Sequence, residues 1–267
     1  MSTETRYRHY RIRSELPERE MQALVDDCLN GSLRVVKEIK NNQHNFVAVV
    51  SDGTPEGLIV KVPRKRNRRL WERVLTFFRD GESFRVFESH QLLRELGFFC
   101  PEAVLAAERR RFGVVVDSFI MYRYLPGEPA SREDAEDVSS ELMALHGKGY
   151  TRGDPKSINF LISGGRVAFI DFRLSRPRLF RKHNVRMEYA HLLHTLPEAI
   201  HYLPEEERNA LGFRFATWLR RAISDMRSKK RDIREAVERH SRHLKLFLLL
   251  LGVLMIGLLG VSSWLAG

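Results

Sequence analysis

The sequence predicts an α+β chain of two unequal lobes followed by an apolar C-terminal segment. Three observations carry this. Short apolar runs separated by turn residues crowd residues 1–125; helical patterning dominates 126–243; and from Leu246 to Gly267 no charged residue occurs in 22 positions. With 267 residues, 43% of them hydrophobic, the chain can bury a substantial core, which excludes global disorder.

In order, segment 17–30 (PEREMQALVDDCLN) reads as a helix, with Pro17 near its start and Gly31 as C-terminal cap. Three strand-like runs follow, Leu33–Ile39, Phe46–Val50 and Leu58–Val62, joined by NNQHN and SDGTPEG. A basic run, 64–73, has five Arg and one Lys against Glu72. A helix is expected over Ser83–Leu96, stopped by Gly97 and Pro101, then strands Ala103–Ala107 and Val114–Tyr122 around the turn ERRRFG. After the linker LPGEP come a helix over Arg132–His146, the loop and hairpin GYTRGDPKSINFLISGGRVAFIDF, and helical patterning from Met187 to His243 broken at Pro197 and Pro204. A five-stranded half joined to a mostly helical half is a protein-kinase-like two-lobed arrangement, with residues 122–127 as the hinge.

Basic residues outnumber acidic ones by 45 to 34, a balance that suits an anionic partner. Nucleic acid is disfavoured, since there is no reading helix and no pattern of stacking aromatics. The runs 64–73 and 176–183 (RPRLFRKH) read either as charge for an acidic membrane surface or as contacts to a phosphorylated acceptor. Cys28 and Cys100 make neither a disulfide framework nor a metal spacing, which fits a reducing compartment. The first residues lack the apolar stretch of a secretory signal. The 22 apolar residues at the end would span about 33 Å as a helix, close to a bilayer's hydrocarbon thickness. Lys229, Lys230, Arg231, Arg234, Arg239, Arg242 and Lys245 precede them. The expectation is a single-pass anchor, residues 244–267, that keeps the lobes on the cytoplasmic side of the inner membrane.

Asp154, Asn159 and Asp171 carry the chemistry. Transfer of a phosphoryl group from ATP needs a carboxylate to orient a hydroxyl and take its proton, and an amide oxygen and second carboxylate to hold Mg²⁺ against the phosphates. Asp154 and Asn159 have D-x-x-x-x-N spacing on one loop, and Asp171 follows the apolar run Val167–Ile170. Lys61, isolated inside LIVKV, suits the lysine that meets the ATP phosphates. Its carboxylate partner is expected on the next helix: Glu88, thirteen residues before Pro101, is preferred to Glu82. Adenine is expected on backbone groups around Arg123 and Leu125. There is no G-x-G-x-x-G in the first turn, Arg173 follows Asp171-Phe172 where kinases have Gly, and no A-P-E occurs.

These motifs resemble those of the lipopolysaccharide core heptose(II) kinases of Gram-negative bacteria. The likeness covers most of residues 7–195. It is carried by LRVVKEIK, LIVKV, RLWERVLTFFRDGESFRVF, IMYRYLPG and above all GYTRGDPKSINFLI with VAFIDF. The resemblance implies ATP-dependent phosphorylation of a heptose hydroxyl of a lipid-linked core acceptor. It also implies Asp154 as the catalytic carboxylate, Asn159 and Asp171 as Mg²⁺ ligands and Lys61 as the ATP lysine. A kinase for another sugar, small molecule or protein, and a membrane-tethered pseudokinase scaffold, are the competing expectations; four intact site residues speak against the scaffold.

Overall fold

The computed structural model describes residues 3–51, 57–64, 74–226, 228–230, 232–233 and 236–237. The chain divides into two units, Met1–Phe213 and Arg214–Gly267. The second is helical over 214–226 and 228–230. Among the described residues no helix is long and apolar enough to cross a membrane, and the expected anchor lies outside them.

The first unit opens with a hairpin the sequence reading does not contain: β1 (Thr3–Tyr7) and β2 (Tyr10–Ser14), turning at Arg8 with φ 52°. Four Arg and Glu side chains mask these strands as polar sequence. Their partners explain the composition, for Arg11 and Arg13 both bond Glu4 across the hairpin. Helix α1 (Glu18–Asn30) follows and ends at Gly31, whose φ of 70° supplies the left-handed cap. Then come β3 (Arg34–Asn41), β4 (Phe46–Ser51), β5 (Leu58–Val62), α2 (Glu82–Glu95), β6 (Ala103–Arg111) and β7 (Val114–Arg123). β6 runs four residues beyond the expected end, because Glu108 through Arg111 pair with β7.

The seven strands form one antiparallel sheet in the order β1-β2-β6-β7-β5-β4-β3. α1 sets Met21 and Val25 against Ile12, Val60, Leu105 and Met121 on one face. α2 sets Phe84 and Phe87 against Ala103, Ala106 and Ile120 on the other. The sheet therefore holds Lys61, on β5, on the side of α2, with Glu82, Ser83 and Val86.

Beyond the hinge lie β8 (Glu128–Pro129), α3 (Ala135–Gly147), β9 (Phe160–Ser163), β10 (Arg166–Phe169), α4 (Arg181–Leu192) and α5 (Glu205–Asn209). Ser131 and Asp134 cap the start of this lobe reciprocally: the Ser131 N–H donates to Asp134 Oδ2 (2.8 Å) and the Glu133 N–H to Ser131 Oγ (3.3 Å). Leu142, Leu145, Phe160, Phe169, Leu192 and Leu196 form the core. α4 begins six residues before the expected helical stretch, because 181–186 is too cationic to show an apolar stripe.

Candidate active site

Asp171 stands just after β10, and Lys61 Nζ reaches its Oδ1 across the cleft between the lobes at 2.5 Å. Burial alone would raise the Asp171 pKa, but Lys61 and then Arg152 outweigh it and hold the carboxyl below its ordinary range. Burial likewise works against the Lys61 ammonium, yet Tyr122, Asp171 and Glu82 leave its pKa raised. Asp171 has φ 47°, a left-handed conformation that Asp tolerates better than most residues. Its neighbour Phe172 fixes it there: the buried ring stacks on His90 of α2 at 4.5 Å between centroids, and His90 stacks on Tyr122 at 5.5 Å. His90 is buried and its Nδ1 bonds Pro101 O at 2.8 Å. Burial pushes its pKa down to about 4, so the ring is neutral in this stack.

The loop that carries Asp154 and Asn159 is assembled by short contacts. Asn159 donates Nδ2 to Asp154 O (2.9 Å), which closes the D-x-x-x-x-N span into one turn. Lys156 Nζ lies 3.0 Å from Asp154 Oδ2, and His191 Nε2, from α4, lies 3.1 Å from Asp154 Oδ1. Glu188, also on α4, accepts from the Gly153 N–H and faces His146 Nε2 at 2.7 Å. Arg152 is wholly buried. Its Nη1 donates to Asn159 O (3.1 Å) and Nη2 to Ile170 O (2.7 Å), so one guanidinium ties the loop of Asp154 and Asn159 to the residue before Asp171. Burial lowers its pKa to about 10, which leaves it charged near neutrality.

The structure thus gathers Lys61 with Asp171, and Asp154 with Asn159, and links the pairs through Arg152. It does not bring Glu88 to Lys61. The Glu88 carboxylate is bound by Arg13, and its side chain is 53% exposed. Glu82, one helical turn and a half earlier, lines a cavity of ≈ 180 Å³ with Asn45, Lys61, Ser83, Val86, Ile120 and Asp171. Glu82 also faces Arg173 Nη1 at 3.8 Å. Counting back from Pro101 chose the wrong turn of the helix, because α2 starts at Glu82 and presents that residue to the cleft.

Arg123 and Leu125 lie at the hinge, but the cavity they line faces Phe98–Glu102 and not Lys61. The Arg123 N–H is taken by Glu102 O at 2.8 Å and the Tyr124 N–H by Gly57 O at 3.1 Å. The turn before β4 manages without glycine: Asn42 Oδ1 accepts from the His44 and Asn45 amides, both at 2.9 Å. That side-chain turn brings Asn45 to the cleft wall.

Four residues of this site were passed over in the sequence. Lys156 stands inside the motif GDPKSIN, two places after Asp154, and was legible there. Arg152 had a weaker signal, as a lone Arg between Thr and Gly. Glu188 and His191 had none, since only the fold sets α4 beneath the loop.

The family profile described as lipopolysaccharide core biosynthesis protein (WaaY) matches residues 1–198. No curated protein matches the chain. Among solved structures, WaaP in complex with acyl carrier protein aligns at 18% identity with TM-score 0.51, over 82% of this chain and 94% of that one. The Rio2 kinase complex with ADP/Mg²⁺-phosphoaspartate from Chaetomium thermophilum aligns at 16% identity and TM-score 0.48, over 73% of this chain and 64% of that one. At such identities the likeness is one of fold, and the first of the two carries it.

Proposed function

The chain belongs to the lipopolysaccharide core biosynthesis family WaaY, and from that premise we propose that it is an ATP-dependent kinase for a heptose hydroxyl of the inner core. The observation that carries this reading is the tie made by Arg152, which holds a proton-accepting carboxylate and two oxygen donors on one rigid frame opposite Lys61.

Asp154 Oδ is the group that orients the acceptor hydroxyl and takes its proton. Lys156 and His191 flank it, so the carboxylate stays aimed. As the hydroxyl oxygen bonds to the γ-phosphorus, the bond to the ADP oxygen breaks, and the cations Lys61 and Lys156 lie where charge spreads over the phosphoryl oxygens. Glu82 is the carboxylate that steadies Lys61. Asn159 and Asp171 fit Mg²⁺, because both offer hard oxygen and a two-donor set leaves the remaining positions to phosphate and water. The ion would supply charge neutralisation to the phosphates. At the hinge the Arg123 and Tyr124 N–H groups are already engaged, so adenine would be left the backbone of Leu125. The apolar segment 246–267 would anchor the enzyme at the cytoplasmic face, beside a lipid-linked acceptor.

Mg·ATP should raise the melting temperature of the purified protein and phosphate should pass to a heptose-containing core fragment. Asp154→Asn should leave the ATP-induced stabilisation intact and slow transfer by about 10²–10⁴-fold. Near-normal turnover in that variant would remove Asp154 from the mechanism.

A further inference from the structure

From Phe172 to Met187 the chain has no Asp or Glu, but it has Arg173, Arg176, Arg178, Arg181, Lys182 and Arg186. At the centre of this stretch two large apolar side chains point into water: Leu179 is 76% exposed and Phe180 81% exposed. Every residue from 178 to 183 is exposed. Phe180 caps α4 in a left-handed conformation, φ 53°, and the first turn of α4 is Arg181, Lys182 and His183 with no acidic residue. Cations at a helix N-terminus oppose the macrodipole. The tip therefore combines bare apolar area, a strained cap and charge of the disfavoured sign, all unhelpful to a fold alone.

The tip is also bolted to the catalytic loop. Arg181 Nη2 donates to His146 O at 2.7 Å, Thr151 and Ser175 form an antiparallel bridge, and the Arg176 guanidinium lies 5.8 Å from the Tyr150 ring centroid. Thr151 is three residues before Asp154. Whatever holds the tip orients the loop.

We propose that residues 178–183 dock into an anionic lipid bilayer, with Leu179 and Phe180 entering the acyl boundary and Arg178 and Lys182 on headgroup phosphates. Cations rimming an exposed apolar pair match that boundary, where phosphate lies beside hydrocarbon. The choice of a bilayer rests in part on the proposed lipid-linked acceptor. Docking here sets the Asp154 loop close to the membrane surface and does not depend on the segment after residue 245.

The test uses the full chain in vesicles of phosphatidylethanolamine and phosphatidylglycerol with brominated acyl chains. A polarity-sensitive fluorophore is placed at Phe180→Cys in a Cys28→Ser background, with Glu38→Cys on exposed β3 as comparator. Emission from position 180 should shift to the blue and be quenched, and that from position 38 should not. Replacing phosphatidylglycerol by phosphatidylcholine, or Arg178 and Lys182 by Gln, should restore the aqueous spectrum. Leu179→Ser with Phe180→Ser should lower transfer to vesicle-borne acceptor by about tenfold or more, with transfer to the soluble core fragment unchanged. An aqueous spectrum at position 180 in anionic vesicles would overturn the proposal. So would a blue shift that follows protein concentration without lipid, which would make the tip a contact between copies. Quenching at 180 without transfer to the soluble fragment would uphold docking and sink the kinase reading.

Discussion

Glu108 in the N-lobe sheet and Arg152 in the catalytic loop are both 0% exposed, and they are satisfied in opposite ways. Glu108 accepts from Arg11 Nη1 (3.0 Å), Arg110 Nε (2.9 Å) and the Gly81 N–H (2.9 Å). Its two arginines reach the surface, with side chains 26% and 22% exposed. Arg152 instead has carbonyl oxygens as partners and aromatic faces as walls, its guanidinium 4.3 Å from the Phe160 ring centroid. A charge neutralised by partners that touch water can be lost with local adjustment. A charge held by backbone dipoles inside the core is harder to replace, because its loss takes a partner from the Ile170 carbonyl. The N-lobe network sets where α2 begins; the C-lobe arginine sets whether the Asn159 loop and the residue before Asp171 stand together.

Arg152→Met puts most strain on this contrast. It strands the Ile170 carbonyl, at about 1–3 kcal/mol, while the Asn159 carbonyl keeps the Ile170 N–H at 3.0 Å. Urea unfolding should show a loss of about 1–3 kcal/mol, and Mg·ATP affinity should fall with it. Unchanged Mg·ATP affinity in the folded fraction would separate Arg152 from the site.

His90 offers a pH test between the lobes. Its folded pKa of about 4 lies below the ordinary 6.5. The stability it contributes is thus full above about pH 6.5 and is lost as pH falls toward 4, about 3 kcal/mol in all. Melting temperatures taken from pH 7 to pH 4.5 should fall, and His90→Phe should flatten that part of the slope. An equal slope in both proteins would assign it to carboxylates.

Glu108→Gln should cost about 1–3 kcal/mol, read by thermal melting, with transfer retained below the new midpoint. If it lowered Mg·ATP affinity as Arg152→Met is expected to, the two networks would not differ in kind. Glu88→Ala should change stability by no more than about 0.5 kcal/mol and leave the ATP KM unaltered, whereas Glu82→Gln should raise that KM. A raised KM in Glu88→Ala would restore it as the partner of Lys61.

The middle of the fold was legible because its elements follow the common rules. β5 is the run Leu58–Val62 in both readings, and α1 has its Pro start and Gly stop. The hairpin β1–β2 was not, since strands that trade Arg for Glu across the pair look like a polar tail. The positions of Lys61 inside a strand, and of Asp154, Asn159 and Asp171 around one hairpin, were legible because local sequence controls them. Glu82, Glu188 and His191 depend on which helix face meets the cleft, and a hydrophobic pattern as weak as that of α2 or α4 does not report it.

β3 ends the sheet with every residue exposed, including Val35, Val36 and Ile39. Its pairing with β4 slips twice, between Val35 and Lys37 and between Glu38 and Lys40. Each slip breaks the ladder that a second chain would need to copy, and Lys37, Glu38 and Lys40 add charge where a stacked strand would sit. An apolar edge that could seed aggregation is in this way made unreadable to another strand, which leaves the protein free to be crowded without polymerising through its sheet.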